Sequence, residues 1–295
     1  MDQLRAEHDR VQRSVHPGIE QFLGEPVWCL ARRYLAHPAF DNAVLTYCRR
    51  IVEPSAFRWP VSKIFAQKMR YITCYMLIGL AARFEAGKGP APTMTLLQTV
   101  VPGSSRQVSD LIAGLRAGGY VEAHRNAQDR REIRLRPTMP LVTEIARSPM
   151  AFLEMSGMLE DHGLFEALNA DPSRISSLIA RSTEAFQSSD ILFAPFETIV
   201  EFTNRDSGYS MLCALMGAYL ARQAGEDWAL PLTYDALAHR FQVSRQHVGN
   251  VLAIATKRGL VSLHAGVIQD VDPRLVTEFS CWAAGQMAHF RLQAA

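Results

Sequence analysis

Polar side chains cluster near the C-terminus at the start of one amphipathic segment: Arg245, Gln246, His247 and Asn250. Arginine can donate two hydrogen bonds to guanine, and asparagine or glutamine can make a matching pair with adenine. Apolar residues recur on the opposite side at helical spacing: Val248, Val251, Leu252 and Ala255. The pattern predicts a helix with one buried side and a polar first turn suited to the major groove of double-stranded DNA.

The residues before this segment predict a shorter helix and a tight turn. We expect Thr233 to cap the shorter helix and Ser244 to cap the longer one, with the turn at Gln242–Val243. A short helix, a tight turn and a second helix with a polar first turn together describe a helix-turn-helix.

A second segment, earlier in the chain, repeats this arrangement. Ser104 is the expected cap, and the apolar stripe consists of Val108, Leu111, Ile112 and Leu115. The polar residues predicted to face DNA are Ser105, Arg106, Gln107 and Ser109. The first helix of this pair is expected at Met94–Val101, where the pattern is weaker.

A basic hairpin is predicted directly after the earlier segment. Two alternating stretches follow Gly119 and flank a polar turn, and four arginines lie on or near it: Arg125, Arg130, Arg131 and Arg134. Guanidinium groups in this position suit contacts to phosphates or to a narrow minor groove.

Residues 104–138 resemble the winged helix of the MarR family of bacterial transcriptional regulators. The resemblance rests on the spacing from Val108 to Gly119, the Gly-Tyr-Val step, the Asp129-Arg130-Arg131 turn, and Thr138 before the next helix. It implies that Arg106, Gln107 and Ser109 enter the major groove. It also implies that Arg131 or Arg130 reaches the adjacent minor groove.

Residues 232–271 look instead like the generic winged helix of cyclic-AMP-receptor-like or GntR-type regulators. The Val243-Ser244-Arg245 and Gly259-Leu260-Val261 steps carry this likeness. The second hairpin is six residues shorter than the first, and its turn at 264–267 holds no arginine. Whether the second copy contacts DNA is therefore left open.

Five short matches recur in the same order, at offsets of 134 to 140 residues. The clearest is Leu-Val-Thr-Glu, found at 141–144 and again at 275–278. The matches predict a tandem duplication with two domains, 1–150 and 151–295, each containing helices and a winged helix. Helices are predicted near 18–53, 61–86 and 138–147 in the first repeat, and near 151–186, 196–225 and 272–290 in the second.

The expected fold class is mainly α with small β-hairpin wings. Because MarR-like proteins dimerise through terminal helices, we expect the two copies to pack as an intramolecular pseudo-dimer. Two recognition helices on one chain would then read half-sites about one helical turn apart. Since the copies have diverged, the DNA site should be asymmetric.

The charge distribution agrees with a nucleic-acid partner for the first copy. The net charge is +2, but residues 1–150 contain 21 Lys and Arg against 13 Asp and Glu, whereas residues 151–295 contain 10 against 16. Asymmetry of this kind is typical of proteins that bind nucleic acids or membranes.

Other classes of protein find little support. No catalytic motif is present, which predicts a protein that is not an enzyme, and no cofactor or metal site is expected. The longest apolar runs, of 12 and 13 residues, are too short to cross a bilayer. The N-terminus lacks a signal-peptide pattern, so we expect a cytoplasmic, nucleoid-associated protein without a membrane partner.

The sequence thus predicts a bacterial sequence-specific transcriptional regulator that binds double-stranded promoter DNA. The alternatives are a plasmid-type replication initiator with tandem winged helices and a chromosome-organisation or adaptor protein whose winged helices dock other proteins. Activation or repression, the target genes and homo-oligomer formation are left open. A small-molecule effector is not identified: Met150, Met155 and Met158 are expected to pack in the core, and an effector pocket at the domain junction is left open as the alternative.

Overall fold

The computed structural model describes residues 15–54, 66–126, 129, 131–264 and 267–295. This part of the chain is mainly helical and contains two small antiparallel β-hairpins. The predicted class, mainly α with small β-hairpins, is therefore confirmed.

The N-terminal region contains a short 3-10 helix at Pro17–Phe22, followed by α1 (Pro26–Leu35), α2 (Phe40–Val52) and α3 (Lys68–Glu85). Next come α4 (Met94–Val100), α5 (Ser105–Ala117), β1 (Val121–Arg125), β2 (Ile133–Pro137) and α6 (Met139–Leu159). We call residues 93–138 the first unit.

The second half begins with α7 (Leu164–Ala170), α8 (Ser173–Ser188), α9 (Glu197–Thr203) and α10 (Gly208–Ala224). It ends with α11 (Tyr234–Phe241), α12 (Arg245–Lys257), β3 (Val261–His264), β4 (Val267–Val271) and α13 (Pro273–Ala294). We call residues 233–272 the second unit.

Each hairpin carries an additional short bridge. Strands β1 and β2 pair from Val121–Pro137 to Arg125–Ile133, whereas the β3–β4 ladder is irregular between Ser262 and Leu263. Thr93 bridges to Arg134 in the first unit, and Thr233 bridges to Val267 in the second. In both units, the residue that caps the first helix thus also forms a β-bridge to the hairpin.

Helix α13 lies at the centre of the core. Its residues from Phe279 to Phe290 are buried without interruption, so the helix is covered on all sides. It packs against α1, α6 and α8. A Cβ at Gly285 would lie 2.7 Å from the Trp28 ring, which shows how closely α1 approaches α13.

Helices from the two halves of the chain pack across each other. The most extensive helix contacts join α2 to α10, α3 to α8, and α1 to α13. In each pair, one helix comes from before residue 150 and the other from after it. Their apolar side chains belong to one continuous core.

Helix α6 continues through residue 150, where the sequence predicted a boundary between a helix near 138–147 and another beginning at 151. That local prediction is wrong, although the division into two repeats stays a prediction. Pro149 lies inside the helix and cannot donate to the carbonyl of Ile145. The Tyr71 hydroxyl donates to that carbonyl at 3.0 Å instead, so the carbonyl keeps a hydrogen bond within the buried helix.

One other predicted helix is interrupted. The helix expected at 196–225 is divided into α9 and α10 by a turn that ends at Ser207, whose φ is +54°. The helices expected within 151–186 are present as the end of α6, α7 and α8, and Gly163, with a φ of +62°, separates α6 from α7. Such left-handed backbone conformations cannot continue a right-handed helix. Residues 61–65 of the predicted helix 61–86 lie outside the described residues.

The close approach of α3 and α8 gives a test of packing between the halves. A Cβ at Gly79 would lie 2.6 Å from Thr183 Oγ1 and 2.8 Å from its Cγ2. Because Thr183 is buried, we expect Gly79→Ala to lower the free energy of unfolding by about 1–2 kcal/mol. Urea denaturation measures this loss.

Gly114→Ala is the matched control, because Gly114 lies in α5 and, apart from its chain neighbours and the backbone of its own helix, no atom lies within 4 Å of the position that an alanine methyl group would occupy. There, the better helix propensity of alanine should raise the free energy of unfolding by about 0.5–1 kcal/mol. Equal effects of the two substitutions would contradict the tight packing of α3 on α8.

Burial of His289 predicts loss of stability in mild acid. Desolvation lowers the pKa of His289 from 6.5 to about 4, and the ring stacks on Phe186 at a centroid distance of 4.5 Å. Between these two pH values the unfolded chain binds the proton first, so stability falls as the pH drops from about 6.5 towards 4. We expect a loss of about 2 kcal/mol between pH 7.5 and pH 5 from this group.

Urea denaturation at both pH values tests this dependence. His289→Gln keeps a polar side chain beside Ser182, the hydrogen-bond partner of His289 Nε2, but removes the titrating group. The variant should therefore lose less stability on acidification than the parent protein. An equal loss would show that other groups cause the acid sensitivity.

Candidate nucleic-acid interface

Serine caps fix the start of α5 and of α12. Ser104 Oγ accepts from Gln107 N at 3.3 Å, and the Gln107 side chain accepts from Ser104 N at 3.2 Å, which completes a capping box. Ser244 Oγ accepts from His247 N at 3.1 Å. Both predicted caps are confirmed, and they hold the first turn of each helix in a defined direction.

Glycines lead the chain from each helix into its hairpin. Gly119 and Gly259 have φ values of +76° and +65°, which side-chain-bearing residues seldom adopt. In both units, the residue after the glycine makes a backbone hydrogen bond to the last turns of the helix. Tyr120 N donates to Leu115 O at 2.8 Å, and Leu260 N donates to Ala255 O at 2.9 Å. The hairpins are thereby placed beside the C-terminal ends of α5 and α12.

The predicted apolar stripes face inward. Val108, Ile112 and Leu115 are fully buried, Leu111 is half-buried, and the stripe of α12 is buried throughout. In the first turns, Ser105, Arg106 and Gln107 of α5 and Arg245 and Gln246 of α12 face solvent, as the sequence predicts.

In the first unit, Ser105, Arg106 and Gln107 are exposed, and the Arg106 side chain is 91% accessible. The Arg106 guanidinium lies 3.9 Å from the Asp110 carboxylate, a distance typical of a weak surface pair. Ser109 differs, since it is half-buried and its hydroxyl accepts from Gln98 Nε2 at 3.0 Å. Ser109 therefore joins α4 to α5 as well as lying near the exposed face.

The arginines of the first hairpin have different surroundings. Arg125 and Arg131 are exposed, and the Arg131 backbone N–H donates to Asp129 at 2.9 Å. Arg134 is half-buried, pairs with Glu132, and lies over the Phe84 ring at 5.0 Å. Arg130, also predicted to contact DNA, lies outside the described residues.

In the second unit, Arg245, Gln246 and Asn250 are exposed on one face of α12. Arg245 lies 3.1 Å from Asp235, and Gln246 donates to Asn250 Oδ1 at 3.2 Å. These contacts are solvent-accessible and weak, so they can be exchanged for contacts to a ligand such as DNA.

His247 has a different environment from its neighbours on α12. It is half-buried, and its Nε2 makes a 2.8 Å hydrogen bond with the backbone carbonyl of Asp206, in the turn between α9 and α10. The sequence prediction grouped His247 with the DNA-facing residues, whereas the structure shows it joining α12 to the helical core.

Arg258 is a second link between α12 and the core. Its guanidinium lies 3.0 Å from Glu201 and 3.3 Å from Glu197, and it donates to Thr198 Oγ1 at 3.3 Å. Sequence reasoning missed this residue because its partners on α9 are about 60 positions away along the chain. No local pattern signals such a contact.

The electrostatic balance differs between the units. The first contains seven arginines and four carboxylates, whereas the second contains four basic residues and three carboxylates. On β4 of the second unit, Asp270 pairs with Arg222 of α10 at 2.8 Å, and this guanidinium holds the pKa of the carboxyl below its usual value. The first unit is thus the better surface for a polyanion.

The described ranges contain no group of three or more His, Cys, Asp or Glu side chains that could hold a metal ion. Among the helices within those ranges, none is both long and apolar enough to cross a membrane.

The contrast between Arg134 and Arg131 can be tested without any ligand. Arg134→Ala removes the contact with Phe84 and the pair with Glu132, and should lower the free energy of unfolding by about 1 kcal/mol. Arg131→Ala alters an exposed side chain and should change it by less than about 0.5 kcal/mol. Urea denaturation of both variants makes the comparison, and equal losses would contradict a structural role for Arg134.

Comparison with known proteins returned no match: no family model, no curated protein and no solved structure is significantly similar to this chain.

Proposed function

We propose that this protein is a sequence-specific transcriptional regulator that binds double-stranded DNA through two winged helices. The observation that carries the proposal is the exposed polar first turn of both α5 and α12, each capped by serine and each followed by a hairpin. Helices presented in this way fit the major groove, where their side chains can reach base edges.

We further propose that the two units arose by duplication and form an intramolecular pseudo-dimer. Their caps and glycine turns recur at an offset of 140 residues, as in Thr93 and Thr233 or Gly119 and Gly259, and each of the two threonines bridges to the second strand of its hairpin. The packing is also reciprocal, because α2 meets α10 while α3 meets α8. Reciprocal contacts of this kind are typical of two-fold related subunits.

In this proposal, the first unit supplies most of the affinity. Arg125 and Arg131 on its hairpin are exposed and available to phosphates, and each neutralised phosphate releases counterions from DNA. The second unit has a shorter hairpin without arginine in its turn, so it contributes mainly through Arg245, Gln246 and Asn250.

In vitro selection from a random double-stranded DNA pool tests the proposed function. We expect enrichment of an asymmetric site with two parts separated by about one helical turn, because the two helix faces differ. Enrichment of a perfect inverted repeat would contradict the proposal that the two units recognise different base sequences. Absence of any enriched sequence would favour an adaptor protein whose winged helices bind other proteins.

Two arginine variants distinguish affinity from sequence choice on the selected site. Arg131→Ala should weaken binding to all sequences and lower the slope of log affinity against log salt by about one. Arg245→Ala should lose about 1–3 kcal/mol on the selected site and reduce the preference at one base pair. Gel-shift titrations at several salt concentrations measure both effects. If Arg131→Ala leaves the slope of log affinity against log salt unchanged, Arg131 of the first hairpin does not contact DNA phosphates.

A further inference from the structure

A large cavity, partly open to solvent, lies among the core helices and between the two units. Its volume is about 780 Å³, which is in the range of small-molecule binding sites. Both halves of the chain contribute to its wall, including Tyr71, Phe152, Phe186, Tyr209, Trp282 and Phe290. This aromatic lining favours a flat, aromatic occupant.

The cavity wall also carries a carboxylate with spare hydrogen-bonding capacity. Glu144 is buried, and its Oε1 pairs with Arg147 at 3.1 Å, whereas its Oε2 has no partner within the described part of the chain. Arg147 is already committed, because it also donates to the carbonyls of Arg50 and Glu53 at 3.2 Å each. The guanidinium therefore leaves one oxygen of Glu144 free to accept from another group.

The corresponding carboxylate of the other Leu-Val-Thr-Glu segment has a structural role instead. Glu278 Oε1 accepts from the backbone N–H groups of Thr198 and Ile199 at 2.8 and 3.3 Å, at the start of α9. Glu278 does not line the cavity. The two positions match in sequence, and of these two glutamates only Glu144 combines a place on the cavity wall with an unpartnered oxygen.

Two unpartnered donors lie on the same wall. Gln286 Nε2 and Trp282 Nε1 are buried on α13 and have no hydrogen-bond partner among the residues that the structure describes. Buried polar atoms are seldom left without partners, so three such atoms around one cavity favour a polar ligand there. A ligand that matches these atoms would donate to the carboxylate and accept from the neutral N–H groups.

We propose that this cavity binds an aromatic amine, with its ammonium group at Glu144 and its polar ring atoms towards Gln286 and Trp282. A cationic headgroup matches the free carboxylate oxygen, and the surrounding aromatic rings match the body of the ligand. The volume exceeds that of a single indole ring, so a larger natural ligand also fits.

The cavity reaches the turn of both helix-turn-helix segments. Val100 and Pro102 line it beside the turn between α4 and α5, and Arg240 and Gln242 line it beside the turn between α11 and α12. Ser207, next to the Asp206 carbonyl that holds His247, lines it as well. We therefore expect a bound ligand to change the position of α5 relative to α12. This part of the inference rests on the proposed DNA-binding function.

Calorimetric titration of the full chain with three indole compounds tests the binding site. Tryptamine, tryptophol and indole-3-acetate share one ring system and carry a cationic, a neutral and an anionic end. They test the carboxylate end of the site alone, because an indole N–H donates and offers no acceptor to Gln286 or Trp282. Tryptamine should bind at least tenfold more tightly than indole-3-acetate, with tryptophol between them. Absence of tryptamine binding at millimolar concentration, or equal binding of all three compounds, would overturn the proposal.

Substitutions assign any binding to this cavity. Glu144→Gln keeps the side-chain shape and should weaken tryptamine binding at least tenfold, while changing tryptophol binding less. Glu166→Gln, at a position outside the cavity, is the matched control and should leave both affinities unchanged. Ser210→Phe fills the cavity from α10 and should abolish binding while thermal unfolding stays cooperative. Binding that survives both cavity variants would place the ligand elsewhere.

Gel shifts on the selected DNA, with and without saturating tryptamine, test the coupling separately. We expect the DNA affinity to change at least threefold in the parent protein and not in Ser210→Phe. Tryptamine binding without this change would overturn the coupling but leave the binding site intact. If the chain does not bind DNA at all, the proposed function is wrong. The calorimetric titration still tests the ligand site in that case, because it does not depend on DNA binding.

Discussion

Burial of apolar side chains between helices from opposite halves of the chain is the interaction on which the rest of the structure depends. Helix α2 packs on α10, α3 packs on α8, and α13 is enclosed by partners from both halves. Buried thiols lie in one of these contacts, and burial beside Cys213 raises the pKa of Cys48. The Cys48 thiol therefore stays protonated and acts as a small apolar group. Neither half could bury these surfaces without the other.

This shared core also determines where the two units lie. Helix α3 contacts β2 of the first unit, and α10 contacts β4 of the second. His247 and Arg258 add polar links from α12 to the α9 region, where Glu278 caps the first turn of α9. The exposed faces of α5 and α12 are therefore held by the same packed helices that bring the halves together. A change in that packing would shift the exposed faces of both α5 and α12.

The sequence predicted the local structure of both units because the signals there are local. Serine caps, apolar residues at helical spacing and the glycine after each second helix act over a few residues, and all are found where expected. Contacts between distant residues could not be predicted in this way. The roles of Arg134 and His247 depend on Phe84 and Asp206, which only the fold brings near them. The continuity of α6 through Pro149 likewise depends on Tyr71, more than 70 residues earlier.

The unbroken helix α6 has a consequence for how such a regulator would respond to its own abundance. A regulator assembled from two separate chains must first dimerise, so occupancy of its site at low concentration rises with the square of the chain concentration. Here one chain carries both proposed DNA-reading units, and α6 runs without a break from the first unit into the second half, so the local concentration of the second unit is fixed once the first has bound. Occupancy would then rise in simple proportion to the number of chains, giving a graded response in place of a threshold.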